Sequence, residues 1–436
     1  MPGFGRSLLD DFLLDPSLTY LNHGTVGVTH RSVLAAQRAI VDEIERNPAR
    51  FLLRETADPQ LVLGREPRIR QALAPIARFV GADPADMAFV DNITTGVNAI
   101  LRSYPLRAGD EILVTDLGYG GVTNAAVYAA RTAGATVRTA TLPWPATDAS
   151  RYVEAVDAAI GPATRLLVID HLSAQTALLL PLAEIAAVCH RHGVLVLADG
   201  AHVPGNVPLD IPSLGVDWYV ANLHKWAFAP RSCGVLWVSP AQRGHLHAAV
   251  ISWGLDNGLA AEFDLPGTRD PSAWLAAPAG LGVLHGYGLE AVYAHNHDLA
   301  WWAGAYLSDR WGTSFSTPRE MIGAMATVRL PKGAERRSPT SSGCRWRSSA
   351  ARSKSPCSPG PGRCGPGSRP RSTTTVPTSR PWPTPSRRWR RSWLAAPAAE
   401  HLAKQVAEPA AVAAEHRAEE ITEPATPGGR VVPLIG

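Results

Sequence analysis

Between about residue 86 and residue 240 the chain repeats one pattern: a short apolar or β-branched run, a polar turn, then a longer amphipathic run. βαβ units produce such alternation, because a strand covered on both faces needs apolar residues throughout while the covering helix needs them on one side only. Strands are expected at Met87 to Val90, Glu111 to Thr115, Thr136 to Thr141, Arg165 to Ile169, Val194 to Ala198, Asp217 to Ala221 and Gly234 to Val238. Helices are expected at Val122 to Ala133, Ser150 to Ala159 and Leu182 to His192, the last followed by Gly193 in a C-capping position. The prediction is an α/β fold with a mostly parallel seven-stranded sheet. Ligands in such sheets bind outside the carboxyl ends of the strands, so chemistry is expected in the loops that follow them. Residues 30 to 80 read as helices broken at Pro48, and residues 272 to 312 as Trp-rich helices carrying Trp274, Trp301, Trp302 and Trp311. Met325 to Leu330 reads as a strand opening a smaller α+β domain.

At 436 residues, 45% of them hydrophobic, the chain can fill one large core and a smaller one. It has no run of eighteen apolar residues, and Met1-Pro2-Gly3-Phe4-Gly5-Arg6 leads into acidic, amphipathic sequence, so a cytoplasmic protein without membrane contact is expected. The cysteines, Cys189, Cys233, Cys344, Cys357 and Cys364, are odd in number and lack metal-ligand or redox spacing, which predicts neither a disulfide framework nor a metal site. Charge is lopsided. Residues 332 to 392 hold 15 of the 42 Lys and Arg but only Glu335 of the 38 acids, which leaves the rest of the chain acidic. A nucleic-acid arm would carry Lys or stacking aromatics, whereas this segment mixes Arg with Ser and Pro, so no nucleic acid is expected as a partner.

Four strand-following loops stand out. Asp91-Asn92-Ile93-Thr94-Thr95-Gly96-Val97-Asn98 runs straight into a helix, where backbone N–H groups and the Thr95 hydroxyl suit a dianionic phosphate; an ordinary Thr N-cap reads the same way. Asp116-Leu117-Gly118-Tyr119-Gly120-Gly121 sets one aromatic among glycines, suited to stacking on a flat ring, though a packing Tyr in a turn looks no different. Ala198-Asp199-Gly200-Ala201-His202 ends an apolar strand on a carboxylate, which is expensive to bury without a cation such as a protonated pyridine nitrogen; metal binding and helix capping are the alternatives. In Asn222-Leu223-His224-Lys225-Trp226 apolar surroundings would destabilise the Lys225 ammonium, which makes a lysine nucleophilic toward an aldehyde; a solvated surface lysine is the plain alternative.

In this order, Asp199-Gly200-Ala201-His202 and His224-Lys225-Trp226 resemble the core signature of the class V aminotransferase group of pyridoxal 5′-phosphate (PLP) enzymes, which includes cysteine desulfurases and isopenicillin N epimerase. The resemblance covers roughly residues 15 to 331. Leu21-Asn22-His23-Gly24, Arg50-Phe51-Leu52-Leu53-Arg54-Glu55 and Gly267-Thr268-Arg269-Asp270 resemble the epimerase-like branch more than the desulfurases. The resemblance implies the PLP-dependent transferase fold type I, with PLP held as a Schiff base on Lys225 and the pyridine nitrogen kept protonated by Asp199. It also implies that Tyr119 stacks on the ring, where desulfurases use a His, and that His202 and Ser173 lie near its phenolic oxygen. Thr95, Gly96 and His224 would hold the phosphate, with Asn222 standing where the group usually has Ser. Thr268 would arrive from the second subunit of a homodimer, while Asn22 and His23 would meet the amino-acid substrate. Ala174, where desulfurases have Asn, argues with Asn222 against a desulfurase. The implied reaction is removal of an α-proton by Lys225 and inversion of the α-carbon of an amino acid or amino-acid-containing peptide. A cysteine desulfurase or carbon–sulfur lyase is one alternative and a non-catalytic PLP-binding protein another.

After Pro331 the resemblance stops. A shifted reading frame explains the Arg/Ser/Pro segment better than a natural disordered one. Taking each codon's last base with the next codon's first two, Arg352-Ser353-Lys354-Ser355-Pro356-Cys357 permits Ile-Glu-Val-Pro-Val, and Cys364 to Thr375 permits Trp-x-Arg-Ile-Ser-Ala-Gln-Val-Tyr-Asn-Asp. Both hidden strings resemble the group's C-terminal domain, and the hidden Arg, spelled here as Pro366 and Gly367, would pair with the substrate carboxylate. The expected organisation is therefore an N-terminal segment joining the small domain (1–30), a large PLP-binding domain (31–275), the start of the small domain (276–331), the aberrant segment (332–393) and an Ala/Glu-rich tail (394–436) with a helix from Ala398 to Glu419.

Overall fold

The computed structural model describes residues 3–57, 66–145 and 148–331. The segments expected at 332–393 and 394–436, with the helix expected in the second, lie outside the described residues. Eight longer helices are α1 (Arg31–Arg46), α2 (Arg68–Phe79), α3 (Ile93–Ser103), α4 (Gly120–Ala133), α5 (Ser150–Ala159), α6 (Leu182–Arg191), α7 (Ala277–Tyr287) and α8 (Leu289–Trp311). The strands are β1 (Met87–Val90), β2 (Glu111–Thr115), β3 (Thr136–Ala140), β4 (Thr164–Asp170), β5 (Leu195–Asp199), β6 (Trp218–Asn222) and β7 (Gly234–Val238). All seven expected strands are present, each within one residue at either end.

They form one sheet in the order β1-β7-β6-β5-β4-β2-β3. Neighbours are parallel except β7, which runs antiparallel to β1 and β6. The exception has a local cause. β6 returns through loop 223–233, whose ends are tied where Leu223 N and His224 N both donate to Cys233 O at 3.1 and 3.2 Å, so the chain doubles back instead of crossing over.

Alternation sets both faces. In β4, Leu167 and Ile169 join a core with Leu73 and Ile76 of α2 and Ile185 of α6, while Leu166 and Val168 join a second core with Val97 and Ile100 of α3 and Ala126 of α4. A one-residue slip would exchange these sets, each side chain losing about 1.5–3 kcal/mol of burial, so the register is fixed from both sides. The C-terminal ends of β1, β2, β4, β5 and β6 share one edge, and the direction of winding reverses between β2 and β4, which opens a crevice there.

The strand expected at Met325 to Leu330 is not formed among the described residues. A strand needs a ladder partner, and this stretch is instead tied to loops: Ala324 N donates to Asn206 Oδ1 at 2.7 Å and Thr327 Oγ1 to Gln175 O at 3.3 Å. At the other end, Phe4 stacks on His295 and Tyr287 Oη donates to Asp11 Oδ2 at 2.8 Å, which fastens the N-terminal segment to α7 and α8. No helix among the described residues is long and apolar enough to cross a membrane. Cys189 and Cys233 are buried free thiols.

Candidate active site

The crevice widens into a cavity of about 960 Å³ lined from five strand ends and by residues from two further segments, 21–25 and 325–327. From the expected set it collects Asn22, Thr95, Tyr119, Asp199, His202, Asn222, His224 and Lys225.

Lys225 stands in the β6–β7 loop, where Phe228 (φ 57°) and Ser232 (φ 64°) hold left-handed backbone conformations that mark a constrained turn. The N-terminal segment clamps this loop. His23 Nε2 donates to Lys225 O at 3.0 Å, and Gly27 (φ 70°) lies so close that a Cβ would come 1.9 Å from His224 O, which only glycine avoids. Lys225 is nearly buried, and burial pulls its ammonium down to about 8 although Asp199 and Asp170 pull the other way. His202 Nε2 lies 2.9 Å from Lys225 Nζ; burial and the lysine hold this imidazole at about 3, so it is neutral.

Asp199 ends β5. Its Oδ1 accepts from Ala201 N at 2.9 Å, while Oδ2 is buried with no partner among the described residues. Burial pushes the acid up to about 6, with the Ala201 N–H and Lys225 opposing. A buried carboxylate oxygen without a partner is costly unless something supplies a donor, and a protonated ring nitrogen would do so.

Asp170 was missed by the sequence reading. It ends β4 in register with Asp199, lines the same cavity and is buried. Burial, then the charge of Asp199, pushes it well above the carboxylate range. The signal was available: like Asp199, it follows an uninterrupted apolar strand. Behind the pair, His171 Nδ1 and Tyr219 Oη meet at 2.9 Å, joining the loop after β4 to β6.

At the other end of the cavity α3 begins. Its N-cap is Asn92, whose Oδ1 accepts from Thr95 N at 3.0 Å, and not Thr95; a β-region residue one turn earlier is better placed to reach that N–H. Asn222 Oδ1 accepts from Ile93 N at 2.9 Å, so the residue that replaces Ser ties α3 to β6 and keeps its two amide N–H groups for the cavity edge. His224 Nδ1 donates to Cys233 O at 2.8 Å.

Four expected residues do not line the cavity. Gly96 is packed against β6, where a Cβ would lie 2.5 Å from Val220 Cγ1, and its N–H is spent on Asn92 O; it lets α3 approach the sheet. Ser173 is buried and donates to Leu117 O at 3.0 Å. His23 acts on the backbone of Lys225 rather than in the cavity. Thr268 is exposed; the next residue, Arg269, pairs with Asp91 and lies 3.8 Å over the Trp274 ring.

Residues 63–337 match the family described as Aminotransferase class-V. The chain is 33% identical over 342 residues to isopenicillin N epimerase of Streptomyces clavuligerus, covering 74% of this chain and 83% of that protein. It is also 33% identical over 338 residues to the putative L-cysteine desulfhydrase 2 of Oryza sativa subsp. japonica, covering 73% and 68%. A solved structure of the cystine C–S lyase C-DES with its product cysteine persulfide superposes with a TM-score of 0.55 at 27% identity, covering 66% of this chain and 79% of that one. The chain belongs to the aminotransferase class-V family, PLP-dependent enzymes of fold type I.

Proposed function

We propose that this chain removes the α-proton of an amino acid, free or at the end of a peptide, and lets the α-carbon be reprotonated from the opposite face, inverting the centre. The observation that carries the reading is a buried amine, Lys225 Nζ, sharing one cavity with a neutral imidazole at 2.9 Å and an unpartnered carboxylate oxygen, Asp199 Oδ2. These groups fit PLP: Asp199 for the ring nitrogen, Lys225 for the aldehyde, Tyr119 for the ring face, and the first turn of α3 with Thr95, Asn222 and His224 for the phosphate. When bound, PLP supplies an electron sink for the charge left on the α-carbon.

The chain's own groups do the rest. Asp199, ionised above about pH 6, would hold a proton on the ring nitrogen. Lys225, which loses its own proton near pH 8, takes the α-proton. His202 steadies the amine. Asn22, with Leu21 and Thr25, forms the rim assigned to the substrate, and His23 keeps Lys225 in place. The exposed Thr268 is assigned to the phosphate site of a second copy, in a homodimer.

A second reading, carbon–sulfur lysis, begins with the same proton removal but expels a β-thiol; the similarity to an L-cysteine desulfhydrase and to C-DES favours it. Incubation with PLP and L-amino acids in deuterated water separates the readings. Deuterium at the α-carbon together with the D-isomer supports inversion, and sulfide released from L-cysteine supports lysis. Bound PLP with neither outcome leaves a non-catalytic PLP-binding protein and defeats the enzymatic proposal.

A further inference from the structure

Trp226 and Lys225 hold opposite sides of one imidazole. Trp226 Nε1 donates to His202 Nδ1 at 3.4 Å, and His202 Nε2 lies 2.9 Å from Lys225 Nζ. An indole N–H can only donate, so His202 Nδ1 must present its lone pair, and a neutral imidazole that accepts at Nδ1 carries its proton at Nε2. That proton points at Nζ. An ammonium has no lone pair to receive it, whereas a free amine does. The other tautomer would set the Trp226 and His202 N–H groups against each other in a buried place, leaving donors unpaired.

We infer that Trp226 is a positioning residue: its indole N–H fixes His202 with the proton on Nε2 and thereby favours the free amine of Lys225, the form that attacks the aldehyde of the cofactor. The role of Lys225 rests on the function proposed above; the tautomer does not. Both rings are buried, and His23 packs on Trp226 with centroids 4.8 Å apart. Around Nζ, Asp199 and Asp170 at the ends of β5 and β4 favour the ammonium, while neutral His202 and His224 add no charge. In the reverse tautomer His202 Nε2 would accept from the ammonium and side with the carboxylates, so the position of one proton decides which way Lys225 leans.

The test uses the full-length chain freed of cofactor, with isotope-labelled histidine rings, studied by NMR above about pH 8, where the amine is free. The His202 signal, identified by its loss in His202→Gln, is expected to show the proton on Nε2. In Trp226→Phe, which keeps an aromatic ring without the N–H, the population should move toward Nδ1. The full-length chain has four lysines, Lys225, Lys332, Lys354 and Lys404, so the Lys225 amine can be titrated by methyl labelling once its signal is identified by its loss in Lys225→Ala. Trp226→Phe should raise its pKa by about one unit, a roughly tenfold loss of free amine at neutral pH. A proton on Nδ1 in the unsubstituted chain overturns the inference without any variant, as does an unchanged tautomer and amine pKa in a folded Trp226→Phe chain. If the chain takes up no PLP while His202 keeps its proton on Nε2, the proposed function fails and this inference stands.

Discussion

Asp199→Asn keeps the shape of the side chain and removes its charge, and it should damage function while improving stability. The bond from Ala201 N to Oδ1 survives the change; what is lost is the charge on Oδ2, the buried oxygen without a partner. A hydrogen bond to a charged group is worth about 1.5–3 kcal/mol, so α-proton removal should slow by roughly one to two orders of magnitude. Stability moves the other way. The acid titrates at about 6 in the fold against 3.8 unperturbed, so between those values the native state binds more protons than the unfolded chain, and stability falls as pH rises through that window. Above about pH 6 the cofactor-free wild type carries the whole penalty, about 3 kcal/mol at 1.36 kcal/mol per unit, and Asn carries none of it. Urea midpoints of the two cofactor-free chains should coincide near pH 4 and diverge in favour of Asp199→Asn above pH 6. Loss of the α-proton NMR signal of an amino acid in deuterated water gives the rate. A PLP-loaded Asp199→Asn chain that exchanges within twofold of wild type, or a cofactor-free one less stable than wild type above pH 6, would refute the reasoning.

Three more outcomes are expected. Attachment of PLP, followed by visible absorbance, should quicken with pH and level off above about 8, because burial lowers the Lys225 amine from 10.5; a rate still climbing toward pH 10 contradicts this, and Lys225→Ala should show no such band. Gly96→Ala should cost about 1–3 kcal/mol in urea denaturation, since its Cβ would sit 2.5 Å from Val220 Cγ1 and push α3 off the sheet; a change under about 0.5 kcal/mol would show that the helix yields freely. Asn222→Ala, which strands the Ile93 N–H, should cost about 1–3 kcal/mol and weaken PLP binding, whereas Asn222→Ser should recover the affinity if the hydroxyl reaches the same cavity edge.

Strands were legible because those buried on both faces read as unbroken apolar runs, and Asp199 and Lys225 because each stands just past one. Strand order was not legible. Crossovers set it, and without it nothing in the sequence says that Asp170 and Asp199 lie side by side, so a lone carboxylate was expected where the fold has a pair. The helix cap was left open for a related reason: Asn92 and Thr95 both suit a helix start, and only the backbone direction at residue 92 picks the cap. Gly96 resembled a phosphate-cradle glycine, yet what it accommodates is Val220, more than a hundred residues away. Lys225 carried a signal that went unread. Every other strongly basic side chain in the first 331 residues is Arg, which cannot act as a nucleophilic amine, so a single Lys marks a position where charge alone would not do.

Restoring the reading frame after Pro331 separates the cofactor site from the substrate clamp. The family match ends at residue 337, where the composition has just turned to Arg, Ser and Pro. Among the described residues the cavity that suits PLP is lined from Leu21 to Thr327, so PLP uptake should be nearly the same in the chain as written and in the frame-restored chain. Amino-acid turnover should differ. On the shifted-frame reading the Arg expected to pair with the substrate carboxylate is present only in the restored chain, and losing one partner of a buried charge pair costs about 2–5 kcal/mol, roughly 30- to 4000-fold in kcat/KM. Equal rates of α-proton exchange in the two chains would refute the shifted-frame reading. Loss of PLP uptake by the chain as written would refute instead the independence of the cofactor site from the residues C-terminal to Pro331. If uptake is equal and exchange is not, the fold type I large domain suffices to assemble a PLP site, and selection for substrate lies in the part that the frame alters.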